Sequence, residues 1–411
     1  MDFDDTPDEA AFRAEARAFL EARRPRRDRN RIMSRYGDVD AAELARAKAW
    51  QAEKAEAGFA GITWPRDWGG RGGSPMQQII WNQEEANYEV PYNVFLIGLG
   101  MCIPTLMAYA DRAALERYVR PALRGEEIWC QLFSEPAAGS DVAGLRTKAE
   151  RDGDAWVVNG QKVWTSGAHY CDYGLLLARS DPTVPKHAGL TAFYFDMKSP
   201  GVEVRPIHQM SGASHFNEVF FTDLRIPDAQ RLGAPGQGWK VGLTTLMNER
   251  LAVGEARRPD IEDLIALCRR ATIAGKPAIA DPGVRARLAE WWAESAGLTY
   301  TRFRTMTALS RGQTPGPENA IAKVVNAGKL QAIAAFGMEL LGQAGAVMDP
   351  ELAPMAALFQ EGLLAAPGQR IAGGTDEILR NIIAERVLGL PGDVRVDKDA
   401  PFNRLDGARR G

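Results

Sequence analysis

The sequence predicts an α+β protein in three successive parts, helical, then β, then helical, and three changes in hydrophobic period carry that reading. Over residues 1-129 apolar positions recur at helical spacing, as in Phe12, Ala16, Phe19 and Leu20, with Gly/Pro punctuation such as TWPRDWGGRGG between segments. Over residues 130-232 the runs become strand-like. AWVVNGQKVWTSG predicts a hairpin turning at Asn159-Gly160, and LLLAR, LTAFYFDM, VEVRPI and EVFFTDLRI follow, which together make a small antiparallel β domain. After GAPGQGW the helical period returns over residues 233-411, in long segments such as IAKVVNAGKLQAIAAFGMELLG, with a frayed, charged tail expected from about residue 393.

Composition narrows the function classes. The 411 residues are 45% apolar and 25% charged, with a net charge of −3, the balance of a globular protein with no bias toward nucleic acid or an anionic membrane. The basic run ARRPRRDRNR, residues 22 to 31, lacks interleaved aromatics and reads as a solvated connector. No apolar run is long enough to cross a bilayer, and the acidic MDFDDTPDEAAF does not resemble a signal peptide, so a cytoplasmic protein is expected. Cys102, Cys130, Cys171 and Cys268 have no paired spacing and suit reduced thiols. The four histidines have no ligand spacing either, so no metal is expected. GAPGQGWKVG lacks both the glycine fingerprint and the strand-helix alternation of a dinucleotide fold.

Three stretches carry candidate chemistry. QLFSEPAAGSDVAGLRTKA, residues 131 to 149, joins the first helical part to the β part. Ser134, Ser140 and Asp141, set among small residues and next to Phe133, offer hydroxyls and bare backbone to a close ligand, and an ordinary polar loop with cap residues is the competing reading. With the arm Trp164-Thr165-Ser166, the stretch has the makings of an apolar slot with hydrogen-bonding edges, suited to a flat heteroaromatic cofactor. On the helix beginning near Trp239, residues Trp239, Leu243, Leu246, Met247, Leu251 and Val253 fall in one arc at about 100° per residue. Arg250 lies near the middle of that arc and requires an anionic or carbonyl partner. Glu249 lies at its border, where partial desolvation raises a carboxylate toward the range of a general base, and an internal or intersubunit ion pair is the alternative. Third, IAGGTDEI, residues 371 to 378, places two glycines before Thr375 as N-cap and before Asp376 and Glu377 in a first helical turn. Capping explains the threonine and the acids; a second glycine needs a further cause.

With these stretches assembled, the chain resembles the acyl-CoA dehydrogenase family from FRAEARAFLEARRP to IAERVLGLP, and SEPAAGSD followed by NGQKVWTSG is the specific signature. The resemblance implies an N-terminal helical domain, a middle β domain and a C-terminal four-helix bundle. It implies FAD lined by Gln131, Phe133 and Ser134, with Gly139 and Ser140 on flavin phosphate or coenzyme A, Trp164 and Ser166 flanking the ring, and Thr375 and Glu377 reaching the cofactor. Arg250 matches an arginine that assists coenzyme A binding. The implied reaction is α,β-desaturation of an acyl-CoA thioester, with electrons passed to an electron-transfer flavoprotein.

The family's largest branch carries its base directly before the Gly-Thr of the C-terminal turn, where this chain has Gly373. Branches resembling isovaleryl-CoA and long-chain dehydrogenases place the glutamate on the Glu-Arg helix, so Glu249 is the expected base. Gly373 then removes bulk from a pocket wall and favours a branched, cyclic or otherwise bulky acyl group. Two further motifs depart from the family: Arg270 in CRRATIAGKPAIADP is the nearest match to an arginine reaching across a dimer to FAD, and GMELLGQAG, residues 337 to 345, replaces Gln-x-x-Gly-Gly. A homodimer or homotetramer is implied, with a heterotetramer as the alternative. An acyl-CoA oxidase or flavin monooxygenase on the same fold, and a non-catalytic subunit of a heteromeric dehydrogenase, are the competing functions.

Overall fold

The computed structural model describes residues 5–27, 39–252, 259–310, 316–317, 319–392, 394 and 398–405, with the side chains of 248–252, 309–310 and 319 outside the description. Its helices are α1 (Pro7–Glu21), α2 (Ala41–Glu56), α3 (Pro75–Glu85), α4 (Ile103–Tyr109), α5 (Arg112–Leu123), α6 (Gly238–Ala252), α7 (Ile261–Arg270), α8 (Pro282–Ser310), α9 (Asn319–Leu341), α10 (Leu358–Gln369) and α11 (Asp376–Ile382). Strands β1 (Trp129–Leu132), β2 (Lys148–Asp152), β3 (Ala155–Ser166), β4 (Tyr173–Arg179), β5 (Leu190–Asp196), β6 (Val202–Ile207), β7 (Phe216–Pro227) and β8 (Arg231–Leu232) lie between α5 and α6. The order is helical, β, helical, as the periodicity predicts. The elements form two compact units, one holding α1, α3 and α7 to α11, the other α2, α4 to α6, the sheet and residues 398–405.

In the first unit, Thr6 and Glu9 form a reciprocal capping box at the start of α1, and the face it buries is Phe12, Ala16, Phe19 and Leu20. Arg13 and Arg17 pair with Glu84 of α3 at 3.2 and 2.9 Å. The C-terminal helices share one core: Leu264 and Leu267 of α7, Leu288 of α8, Ile333 and Phe336 of α9, and Phe359 of α10. Four amphipathic helices thus bury their apolar stripes against one another.

In the second unit, the strand order is β6-β7-β3-β2-β4-β5-β8, with β1 parallel to β4 on a branch from that path. The sheet is antiparallel except for the pairing of β4 with β1 and with β2. Both faces are buried, which explains the continuous apolar run LLLA in β4. Leu175 and Leu177 pack toward α4, α5 and α6, with Ile103, Leu115 and Val241. Leu176 and Ala178 point to the opposite face, with Phe193, Phe195 and Phe221.

The fold corrects three sequence expectations. Asn159-Gly160 is not a hairpin turn: β3 runs straight through it, and the register against β7 shifts between Val158 and Gly160, which is a β-bulge. Asn159 accepts from the Asp223 amide and donates to its carboxylate, so the side chain that promised a turn is used across strands. Gly160 has φ 151, and a Cβ there would stand 2.6 Å from Thr147 Oγ1. The turn lies instead at Gly153, φ 64, between β2 and β3.

On α6, the arc through Leu243 and Met247 is exposed, at 42% and 63%, while Val241 and Thr245 are the fully buried positions. Hydroxyl contacts with α4 set the rotation: Thr245 meets Thr105 at 3.0 Å and Thr244 meets Tyr109 at 2.9 Å. Last, the tail is not frayed throughout. Pro401 bridges to Pro185, the Phe402 and Asn403 amides donate to the Val184 and Pro182 carbonyls, and Phe402 is buried. The basic run is also partly used, since Arg26 pairs with Glu21 at 2.6 Å; its residues 28–31 lie outside the described residues.

Candidate active site

The residues singled out in 131–166 come together in the second unit because β1 delivers the loop beside β3. The Val163 amide donates to the Ser134 carbonyl at 2.9 Å, which stitches the loop to the arm bearing Trp164 and Ser166. Beneath that stitch lies an ion pair that the sequence did not reveal. Lys162, fully buried, donates to Glu135 Oε1 at 2.7 Å and to the Phe133 carbonyl at 3.0 Å. Glu135 also accepts from the Arg146 amide at 2.6 Å and the Thr147 amide at 2.9 Å, so one carboxylate closes both ends of the loop.

Burial pushes the Glu135 carboxyl up, but Lys162 and these donors outweigh it and hold it below the usual carboxylate range. Burial also pushes Lys162 down to about 8, opposed by Glu135. A charge this deep is tolerated only when paired and hydrogen-bonded. The signal available in sequence was the lysine between Gln161 and Val163, at a position where β3 points inward.

Farther along the loop, Arg179 at the end of β4 donates to the Leu145, Ala143 and Lys186 carbonyls at 3.0, 2.6 and 3.1 Å. Lys186 in turn pairs with Asp141 at 3.0 Å. Held this way, Gly139 and Ser140 are exposed, and no atom lies within 4 Å of where a Gly139 Cβ would stand.

The arm presents an aromatic surface. Trp164 has φ 61 beside a register shift between Lys162 and Thr165, and its side chain is 56% exposed with an edge contact to Phe216 at 5.8 Å. A non-glycine residue held in the left-handed region is uncommon and costs about 1–3 kcal/mol, which marks the position as constrained. Next to it, Thr165 Oγ1 is buried with no hydrogen-bond partner. Gln131 and Ser134 are half-buried, Ser166 likewise, whereas the Phe133 ring is buried in the core facing α6. An exposed flat ring, unfilled backbone and an orphaned hydroxyl fit a flavin with its phosphates.

Helix α6 belongs to the same unit, and its backbone carries Glu249 and Arg250 in its last turn. The side chains of both, and of Leu251, lie outside the described residues, as does Val253 altogether.

Gly373, Thr375 and Glu377 belong to the other unit. Gly373 and Gly374 have φ 65 and 92, so the second glycine has a conformational cause: two successive left-handed residues reverse the chain between α10 and α11. Thr375 Oγ1 accepts from the Ile378 amide at 3.2 Å, as the cap of α11. Asp376 is buried and pairs with Arg370 at 2.7 Å, while Lys323 donates to the Gly374 carbonyl. Asp376 is therefore a buried ion-pair partner as well as a first-turn acid. Gly373 and Glu377 are exposed.

A chain of helical, β, helical order, with an exposed aromatic arm beside a bare-backbone loop, fits a flavoprotein. The chain matches, over residues 6–126, 130–224 and 236–388, the models of the N-terminal, middle and C-terminal domains of acyl-CoA dehydrogenase. It belongs to the acyl-CoA dehydrogenase family. It is 38% identical over 354 residues to the acyl-CoA dehydrogenase IpdE1 of Mycobacterium tuberculosis, covering 85% of this chain and 89% of that protein. It is also 38% identical over 360 residues to the acyl-CoA dehydrogenase FadE34 of the same organism, where the match spans 85% of this chain but only 48% of the relative.

Among solved structures, the Tcur3481-Tcur3483 steroid ACAD superimposes with a TM-score of 0.81 at 26% identity, covering 96% of this chain and 100% of that one. The ChsE4-ChsE5 complex of Mycobacterium tuberculosis gives 0.77 at 27%, with the same coverage. The protein is accordingly an FAD-dependent oxidoreductase acting on CH–CH groups. No described helix is long and apolar enough to cross a membrane.

Proposed function

We propose that this protein desaturates the acyl-CoA thioester of a bulky, ring-bearing acid, with Glu249 as the base. The observation that carries the reading is Gly373, a left-handed residue with no side chain, at the position where the resemblance implies the base of the family's largest branch. The similarity to Tcur3481-Tcur3483, a steroid ACAD, supports the same substrate class. Bound FAD supplies the acceptor for the hydride that leaves the β-carbon. Glu249 takes the α-proton, and Arg250 on the same turn of α6 receives the anionic coenzyme A. Gly139 and Ser140 offer bare N–H and hydroxyl groups to the phosphates or the pantetheine. Gln131 and Ser134 line the flavin slot, with the buried Phe133 ring packed behind them; Trp164 and Ser166 flank the flavin ring, and Thr375 and Glu377 also contact the cofactor. The domains run 1-129, 130-232 and 233-411, the assembly is a homodimer or homotetramer, and electrons leave to an electron-transfer flavoprotein. Four free, buried cysteines suit the reducing cytoplasm.

Anaerobic bleaching of the flavin by a panel of acyl-CoA thioesters tests the substrate class. Ring-bearing acyl groups are expected to bleach faster than straight chains of equal carbon number, and the reverse order sinks the proposal. Slow reoxidation of the reduced enzyme in air is expected for a dehydrogenase, and fast reoxidation identifies an oxidase.

A second reading has its own support: both structural neighbours are named for pairs of chains, so this protein also fits one half of a heteromer. Failure of the chain expressed alone to take up FAD, cured by a partner chain, replaces the homomeric reading with that one.

A further inference from the structure

The C-terminal segment around residues 398–405 lies beyond the last residue matched by the family's C-terminal domain. Its docking reaches the loop that carries Gly139 and Ser140 by two routes within one unit. The first runs through Arg179. Phe402 is 8% exposed, and its ring centre stands 3.5 Å from the Arg179 guanidinium carbon. Arg179 is itself only 4% exposed, with its donors spent on the carbonyls of Ala143, Leu145 and Lys186. The second route runs through the β4–β5 connection. Phe402 and Asn403 donate to the Val184 and Pro182 carbonyls, and Lys186 from the same connection holds Asp141.

The physical coupling is desolvation. A guanidinium shielded from water must satisfy its N–H groups on protein, and here two of the three acceptors are the loop's own carbonyls, Ala143 and Leu145. Burial pushes the Arg179 pKa down to about 10, the mark of a cation kept from solvent. Removing the ring admits water to the guanidinium, which then has no need of the Ala143 and Leu145 carbonyls, and the loop loses its fixed shape.

We propose that residues 398–405 are a latch, in which Phe402 stacked on Arg179 fixes the Gly139–Leu145 loop in the shape that receives the acyl-CoA thioester. Phe402 is thus a positioning residue acting through Arg179. The consequence for substrate rests on the proposed role of Ser140.

The holoenzyme of Phe402→Leu, which keeps the apolar volume and loses the aromatic face, is compared with Phe402→Trp and Ser140→Ala. In Phe402→Leu, amide exchange over residues 139–146 is expected to rise. The Kd for a bleaching acyl-CoA is expected to rise about five-fold, matching the ~1 kcal/mol of a partly desolvated cation–π contact. FAD content and the bleaching rate at saturation should stay at the parent values, and Phe402→Trp should restore both exchange and Kd. Unchanged exchange overturns the latch, and so does raised exchange with an unchanged Kd. Ser140→Ala separates the two layers: if it weakens acyl-CoA binding while Phe402→Leu does not, the latch alone is wrong. If neither variant weakens binding, the loop's role toward substrate is wrong as well.

Discussion

The loop at residues 133–147 and the turn at residues 371–378 both present nearly bare backbone, yet they are held by different forces. The loop is fixed from beneath by two buried cations, Lys162 bound to Glu135 and Arg179 bound to three carbonyls. The turn is fixed chiefly by local devices: two left-handed glycines, the Thr375 cap and the Arg370–Asp376 pair six residues apart in sequence. Buried charge fixes a shape firmly because the unpaired state is so unfavourable, whereas a cap and a turn set a direction at about 1 kcal/mol each. The loop is thus preorganised by long-range contacts, and the turn largely by its own short sequence, with Lys323 a distant contact on it.

The largest effect tests whether the base lies on the turn at all. Glu249→Gln is expected to keep FAD bound and slow anaerobic flavin reduction by about 10³-fold, the scale of a lost general base. Undiminished reduction would move the base to the turn, with Glu377 the next variant to make. Next, Lys162→Met removes the cation beneath the loop and leaves Glu135 buried and unpaired, so unfolding free energy should fall by about 3–5 kcal/mol in urea titrations. A loss no greater than that of a cap deletion would erase the contrast between the two regions.

Acid sharpens the same contrast. The folded-state pKa of Glu135 lies below its ordinary 4.5, so its stabilisation is complete above that value and is lost as pH falls through the folded pKa. Glu135→Gln should therefore lose stability at neutral pH and show a shallower decline below pH 4.5 in thermal scans. The smallest effect belongs to the turn: Thr375→Ala should cost about 1 kcal/mol of stability by removing the α11 cap, without changing the steepness of acid unfolding.

Much of this was legible from local pattern. The four buried residues of α1 are the four that its period selects, and the SEPAAGSD and NGQKVWTSG stretches do lie side by side, tied by the Ser134 carbonyl. What misled was local pattern overridden at a distance. Asn159-Gly160 carries turn chemistry, but Asp223 across the sheet captures the asparagine and makes a bulge. The apolar arc of α6 is only partly used by the core: Trp239 and Leu246 pack against it, whereas Leu243 and Met247 stay exposed and the hydroxyl contacts with α4 bury Thr245. Phe402 lay in a charged segment whose composition gave no reason to expect a docking site.

By itself the sequence determined the order of helical and β parts and the family, because periodicity and contiguous motifs are properties of neighbours in the chain. Only the tertiary structure decided that Lys162 needs Glu135, that Arg179 holds the Ser140 loop, and that the ring of Phe402 covers Arg179. Those facts follow from which charges lose their water on folding. Desolvation is set by atoms brought together from distant parts of the chain, and no local stretch of residues contains it.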